Sequence, residues 1–303
     1  AATHSPVGWQ RLATLCDTFG SRLSGSTNLE AAIDWLLSRM RADGFDNVRG
    51  EPVQVPAWVR GAESVQLLEP RNEPLPMLGL GGSIATPPEG ITAPVLVVRS
   101  FEELRQRADE AKGRIVVFAT PFTEYGDSVR FRVNGAIEAA KAGAVASLIR
   151  STTDFGLRTP HTGAMFYQDG VARIPHAALP VEDANRLARW QAEGRKITLR
   201  LHMSAATKED RMSRNVVGEI RGREKPEEII VVGGHIDSWD VGHGAQDDGG
   251  GCVAAWEALR LMKELGLRPR RTVRCVLWTN EENGGRGARA YRDAHAEIGR
   301  AHV

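Results

Sequence analysis

Apolar positions change period along the chain. Leu29, Ile33, Leu36, Leu37 and Met40 recur at helical spacing after the capping candidates Ser26, Thr27 and Asn28, and Gly44 follows as a stop. This predicts an amphipathic helix that opens the fold. From Val48 to Leu68 the pattern turns toward alternation (Val53 and Val55; Val65 and Leu67), which predicts short strands, and a Pro/Gly-rich stretch from Pro70 to Pro94 then interrupts it. That stretch is the expected boundary of a first segment, 1–90.

Between about 91 and 203, apolar runs of strand length (Val95 to Val98, Ile115 to Ala119, Ala144 to Ile149, Ile197 to His202) alternate with helical stretches around Phe101 to Ala111, Asn134 to Ala142 and Glu182 to Glu193. The alternation predicts a self-contained α/β module. Its segments Lys112 to Phe118, Ala139 to Ala146 and Ile174 to Val181 resemble the protease-associated domain that several exopeptidases carry as an insertion. Such modules shape access or partner contacts, so His161, His176 and His202 are expected to be structural.

The third segment, 204–303, reads as strand (Asn215 to Ile220), strand (Glu228 to Gly233), loop, helix (Gly250 to Leu265) and strand (Thr272 to Thr279). Val253, Trp256, Leu259 and either Met262 or Lys263 give the helix one apolar face. Ile229 to Val232 and Val273 to Trp278 read as central strands. The fold class expected is α/β, a mixed central sheet flanked by helices, with the α/β module inserted.

Composition narrows the function classes. With 39 Lys plus Arg against 38 Asp plus Glu in 303 residues, the chain lacks the basic excess that draws a protein to nucleic acid. No apolar run approaches the roughly 18–20 residues that cross a bilayer, so no membrane partner is expected. Cys16, Cys252 and Cys275 are too scattered for a disulfide framework and form no Cys-x-x-Cys pair, which leaves them as small buried apolar residues.

Both ends invite a reading. The chain starts Ala1-Ala2-Thr3 without Met, as after removal of a signal peptide or loss of the start. Its last residues, Ile298-Gly-Arg-Ala-His-Val303, are what ATC GGA AGA GCA CAC GTC encodes, the look of translated sequencing-adapter DNA. The expectation is a natural sequence cut near Glu297, with His302 carrying no role.

Polar chemistry concentrates in three clusters at predicted strand ends: Gly233-Gly-His-Ile-Asp-Ser-Trp239, Gly244-Ala-Gln-Asp-Asp-Gly-Gly-Gly251 and Thr279-Asn-Glu-Glu-Asn-Gly-Gly285. In open α/β sheets ligands bind beyond the carboxyl ends of strands. Imidazole with carboxylates is the donor set of zinc. His235 offers a neutral imidazole, and Asp237, two residues on, is placed to hold that ring as a hydrogen-bond acceptor. Asp247 can bridge two cations, and the glycines at 249–251 let the backbone turn into the next helix. Glu281 and Glu282 are adjacent and point apart, so one can ligate metal while the other faces a reacting water. Taken singly, a loop His, an Asp-Asp-Gly turn and a Glu-Glu pair are ordinary surface features. Three such clusters at consecutive strand ends are not.

The His-x-Asp-Ser-Trp, Gly-Ala-x-Asp-Asp-Gly-Gly-Gly and Glu-Glu-x-Gly segments resemble the di-zinc exopeptidase family of bacterial leucyl aminopeptidases, aminopeptidase Y and glutamate carboxypeptidases, most of all the plasma glutamate carboxypeptidase type. The resemblance implies hydrolysis of terminal peptide bonds in dipeptides or short peptides with two Zn2+ ions, and a secreted or periplasmic location. A homodimer stays open. Carried over by position, His235 ligates one zinc, Asp247 bridges both, Glu282 ligates the other, Glu281 is the general base and Asp237 supports His235.

This chain departs from the pattern in places. Asn280 stands where relatives carry a small residue, and His243 has no family role. The family completes its site with an Asp and a His well downstream of the Glu pair, so the chain alone is expected to be inactive; His295 does not replace them and is expected on a surface helix. Ser238 lacks the Gly-x-Ser-x-Gly setting of a serine nucleophile. The same fold hosts zinc glutaminyl cyclases and metal-free receptor-like proteins, which are the alternatives. The intact His235, Asp247, Glu281 and Glu282 set speaks against the second.

Overall fold

A computed structural model of the chain describes residues 5–298. Of the stretch read as foreign, all but Ile298 lies outside the described residues, as does His302. In chain order the elements are α1 (Val7–Phe19), α2 (Thr27–Ala42), β1 (Asp46–Val59), β2 (Glu63–Glu69), β3 (Glu73–Leu75), β4 (Leu78–Gly79), β5 (Ile91–Val98), α3 (Phe101–Gln106), α4 (Ala108–Ala111), β6 (Ile115–Phe118), α5 (Tyr125–Lys141), β7 (Ala146–Arg150), β8 (His176–Leu179), α6 (Val181–Ala192), β9 (Thr198–Met203), β10 (Ala206–Ile220), β11 (Lys225–His235), α7 (Gly250–Glu264), β12 (Arg271–Trp278) and α8 (Arg286–Ala294). They form two compact units, 1–57 with 209–303, and 58–208.

The first unit is built on a mixed sheet in the order β1-β10-β12-β11, with β10 antiparallel and β11 parallel to β12. Alternation along the strands gives the sheet two apolar faces. Val216, Ile220, Val273, Cys275 and Leu277 pack against Leu15, Leu29, Ile33, Leu36, Met40 and Trp256 from α1, α2 and α7. Val217 and Val276 point the other way, onto Tyr291 of α8. Gly218 sits where α2 comes close: a Cβ there would lie 3.1 Å from Met40 Sδ and from the Phe45 ring. Fully burying each large aliphatic side chain contributes about 1.5–3 kcal/mol.

Trp256 is wholly buried and its Nε1 donates to Asp43 at 2.7 Å. Arg11 lies 3.9 Å over its ring and pairs with both Asp43 and Glu257. These contacts tie α1, α7 and the end of α2 together. The helix read as opening the fold is α2, capped by Ser26 as expected; α1 precedes it. Its apolar positions Leu12, Leu15, Cys16 and Phe19 share their face with Arg11, a buried cation, which blurs the periodicity in sequence. On α7 it is Met262, not Lys263, that packs on the core. The reading of two central strands holds for β12; β11 stands at the sheet edge among the described residues, with Ile229 to Val232 half-buried or exposed.

The second unit has a sheet in the order β3-β2-β9-β5-β6-β7-β8-β4. Its centre, β5 to β8, is parallel. Helix α6 covers one face through Leu187 and Ala184, and α3 and α5 cover the other through Leu104, Phe131 and Ala139. This unit starts at Trp58, whereas the Pro/Gly stretch suggested 91. The reason is pairing: β2 joins β9 antiparallel and β4 joins β8, so residues 63–79 belong to this sheet. His176 is a core residue here, its Nδ1 2.5 Å from Ser147 Oγ, and Gly135 of α5 leaves room for its ring. Burial lowers its pKa to about 4.

The three cysteines are buried free thiols, and burial pushes that of Cys275 up to about 12. Among the described residues no helix is long and apolar enough to cross a membrane.

Candidate metal centre

The parallel register pairs His235 at the end of β11 with Trp278 at the end of β12. The loop after each strand therefore emerges at the same carboxyl edge of the sheet, and the first turn of α7 meets them there. His235, Asp247 and Glu282, one from each polar cluster, bring ligand atoms within 4.8 Å of one another. His235 Nε2 lies 2.9 Å from Asp247 Oδ1 and 3.9 Å from Glu281 Oε2. Glu281 and Asp247 are open to solvent, with side chains 59% and 75% exposed, while His235 is nearly covered.

The ring of His235 is held by a main-chain group. Its Nδ1 lies 3.0 Å from the carbonyl oxygen of Asp237, which can only accept, so Nδ1 carries a hydrogen and Nε2 is the ring atom turned toward Asp247 and the opening. The Asp237 carboxylate, expected to hold this ring, is 3.7 Å from Nδ1 and instead accepts the backbone N–H groups of Glu281 at 2.9 Å and Glu282 at 3.1 Å. It ties one strand end to the other. Fully buried, Asp237 has its pKa raised by desolvation against the lowering effect of these amides.

Asp248 does a similar job at the helix start. Its Oδ1 accepts from Gly251 N at 3.1 Å, as an N-cap does, and its Oδ2 accepts from His235 N at 3.0 Å. The Asp247–Asp248 peptide is cis. Gly249 and Gly250 have ordinary helical φ, so conformational freedom is not why glycine stands there. Space is the reason: a Cβ on Gly251 would lie 2.2 Å from Asp248 Oδ1, and one on Gly249 would lie 2.7 Å from Gly244 O.

Arg22 was not foreseen. Wholly buried, it donates to the carbonyls of Ile236 at 2.9 Å, Gly20 at 2.9 Å, His243 at 2.7 Å and Gly244 at 3.1 Å, stapling the loop that follows His235. Ser238 exchanges hydrogen bonds with the Arg22 backbone, a structural role in keeping with its rejection as a nucleophile. His243 lends its carbonyl, and its side chain is outside the ligand group. His295 ends the largely exposed helix α8, as expected, and is itself half-buried: its ring packs on Tyr291 at 4.3 Å and its Nε2 lies 3.0 Å from Glu51.

The donor set fits a cation. Burial, then the charge of Asp247, raises the Glu282 pKa to about 8, so carboxylates are crowded here beyond what the protein alone neutralises. Burial disfavours charge on His235, but Asp237, Glu281 and Glu282 outweigh it and raise its pKa. One nitrogen and two carboxylate donors suit zinc. Among the described residues this is the group of three that comes together for a metal ion.

A family model described as peptidase family M28 matches residues 215–302. The chain is 55% identical over 287 residues to human carboxypeptidase Q, an alignment covering 95% of this chain and 61% of that protein. It thus spans about three fifths of the length of that curated relative. Among solved structures, it superposes on a peptidase M28 precursor from Shewanella amazonensis SB2B with a TM-score of 0.94 at 34% identity, covering 98% of this chain and 69% of that one. A zinc aminopeptidase from Bacillus subtilis, BSAP, shares the fold with a TM-score of 0.70 at 21% identity, covering 96% and 65%.

Proposed function

The chain belongs to peptidase family M28, and from that premise we propose that the intact protein containing it is a zinc-dependent exopeptidase hydrolysing terminal peptide bonds of dipeptides or short peptides. The observation that carries the reading is the convergence of His235, Asp247 and Glu282 within 4.8 Å, with Glu281 open to solvent beside them. His235, Asp247 and Glu282 would hold the zinc. Bound zinc supplies a Lewis acid that polarises the scissile carbonyl and acidifies water. The chain's own residues supply the rest. Glu281 takes the proton of the attacking water as the new C–O bond forms, and returns it to the leaving amine as the C–N bond breaks. Asp237 keeps Glu281 and Glu282 in register through their amides, and its carbonyl fixes the tautomer of His235.

Three donors do not fill two coordination shells, and an incomplete shell loses most of its affinity. The 303-residue chain alone is accordingly expected to bind zinc weakly and turn over no peptide. Unit 58–208, with its parallel β5 to β8 core, is proposed to be the protease-associated module, performing no chemistry of its own.

Metal analysis of the intact protein alongside dipeptide turnover tests the reading. Two zinc ions per chain with zinc-dependent hydrolysis is the expected result. One zinc with cyclisation of N-terminal glutamine in its place indicates a glutaminyl cyclase, and absence of both metal and turnover indicates a binding homologue; either result overturns the proposal.

A further inference from the structure

We infer that Asn280 is a positioning residue of the metal centre: its side chain, not merely its tolerance of an unusual backbone, holds the loop that presents Glu281 and Glu282. The inference rests on the metallopeptidase reading above. Asn280 lies two residues beyond the end of β12, is wholly buried, and has φ of 63°. That left-handed conformation costs most L-residues about 1–2 kcal/mol, and Asn tolerates it better than others. Glycine tolerates it best, so a backbone requirement alone does not select a buried amide.

The amide is fully used. Its Oδ1 accepts the backbone N–H of Arg286 at 3.1 Å, at the first residue of α8. Its Nδ2 donates to Asn283 Oδ1 at 2.6 Å and to Ser24 Oγ at 3.1 Å. The opposite amide orientation would set an NH2 group against the Arg286 N–H, so the hydrogen bonds determine which atom is which. Ser24 then donates to Asp237 Oδ2 at 3.4 Å, and Asp237 accepts the Glu281 and Glu282 amides.

The bonds close a circuit. Asn280 donates to Ser24, Ser24 to Asp237, and the residue after Asn280 also donates to Asp237, so both arms of the ring end on one buried carboxylate. The carbonyl of Asn280 accepts the N–H of Gly285, closing the loop from its other side. The loop is also moulded on this side chain: a Cβ on Gly284 would lie 2.8 Å from Asn280 Oδ1. Removing the amide frees Ser24 to rotate, leaves the Arg286 N–H without its acceptor, and releases Asp237 from one of its donors. Glu282 then loses its fixed approach to His235 and Asp247.

The test separates side chain from backbone. Asn280→Gly keeps the left-handed conformation and removes the amide; Ser24→Ala breaks the circuit without touching the loop; Ile33→Val, in the core beneath the sheet, serves as a stability control. Two readouts are taken on the intact protein well below its melting temperature: hydrogen exchange at the Glu281 and Glu282 amides, and the Zn2+ dissociation constant by chelator competition. Asn280→Gly is expected to speed exchange at both amides at least about tenfold and to weaken zinc binding about 10- to 100-fold, the usual effect of losing a partner that orients ligands. Ser24→Ala is expected to shift both in the same direction and less, and Ile33→Val to shift neither. Wild-type exchange and zinc affinity in Asn280→Gly overturn the inference, and if that variant does not fold, the same result in Ser24→Ala does so. Failure of the wild-type protein to bind Zn2+ overturns the metallopeptidase reading instead, while the exchange measurement still decides whether Asn280 holds the loop.

Discussion

The Asp237 carboxylate accepts the backbone N–H of Glu281 at 2.9 Å, joining the loop after β11 to the loop after β12. The His235 ring is oriented by the carbonyl of the same aspartate, not by its carboxylate. Asp237→Asn therefore separates the two jobs. One carboxylate oxygen becomes an NH2 group facing an amide N–H, which is expected to cost about 1–3 kcal/mol by urea denaturation. The tautomer of His235 is expected to survive, with the hydrogen still on Nδ1 by nitrogen NMR. A switch of the hydrogen to Nε2 contradicts the assignment of the carbonyl as the orienting group.

Residues 58–208 contain a buried histidine whose protonation opposes folding. His176 has a folded-state pKa of about 4, against the ordinary value near 6.5. The folded pKa is depressed, so the unfolded chain binds the proton first as pH falls. The contribution of a neutral His176 is fully present above pH 6.5, declines through the window from 6.5 to 4, and is lost below it. Its full size is about 3 kcal/mol. Denaturation at pH 7 and pH 5 is expected to show about 2 kcal/mol of this loss in the wild type and a flatter profile in His176→Gln. Equal slopes for both proteins contradict it.

How much of this was legible in the sequence depends on the range of the interactions. Strands β5, β6, β10 and β12 and helices α2 and α7 announce themselves because apolar period is a local signal. The three polar clusters were legible for a related reason, since each follows directly on a strand or opens a helix. Arg22 was not, because three of its four side-chain partners lie 214 to 222 residues away and all are carbonyl oxygens, which leave no mark in sequence. The Gly20-Ser-Arg-Leu-Ser-Gly-Ser26 segment around it offers only a hint, an Arg among small residues between two helices. Asp237 was read as an acceptor but given the wrong donor, because a two-residue separation suggests a contact with His235 and says nothing of a loop 44 residues on. The boundary at 91 failed because Pro and Gly mark turns between short edge strands as readily as linkers.

Arg22 carries the next expectation. A lysine at this position has one ammonium group in place of a planar fork, and cannot reach carbonyls on Ile236, Gly20, His243 and Gly244 together. A buried carbonyl such as that of Ile236, left without its donor, costs about 1–3 kcal/mol. Arg22→Lys is expected to lower the melting temperature and to speed hydrogen exchange in residues 238–244, while exchange in β5 and β6 of the other unit stays unchanged. Uniform faster exchange in both units contradicts a local staple.

The adjacent carboxylates are expected to fail differently when neutralised in the intact protein. Glu282 belongs to the ligand group and Glu281 stands exposed beside it. Glu281→Gln leaves the donors in place and removes proton transfer, which costs about 10²- to 10⁴-fold in rate. Its zinc content is expected to stay at the wild-type level. Glu282→Gln removes a charged donor, so metal occupancy and dipeptide turnover are expected to fall together. Excess Zn2+ then restores part of the activity of Glu282→Gln and none of that of Glu281→Gln, because added metal refills a weakened site but supplies no base. Zinc per protein and turnover are measured for both variants across a zinc titration. Loss of zinc from Glu281→Gln with retention in Glu282→Gln reverses the assignment of the pair, placing the ligand on the exposed residue and the base on the half-buried one.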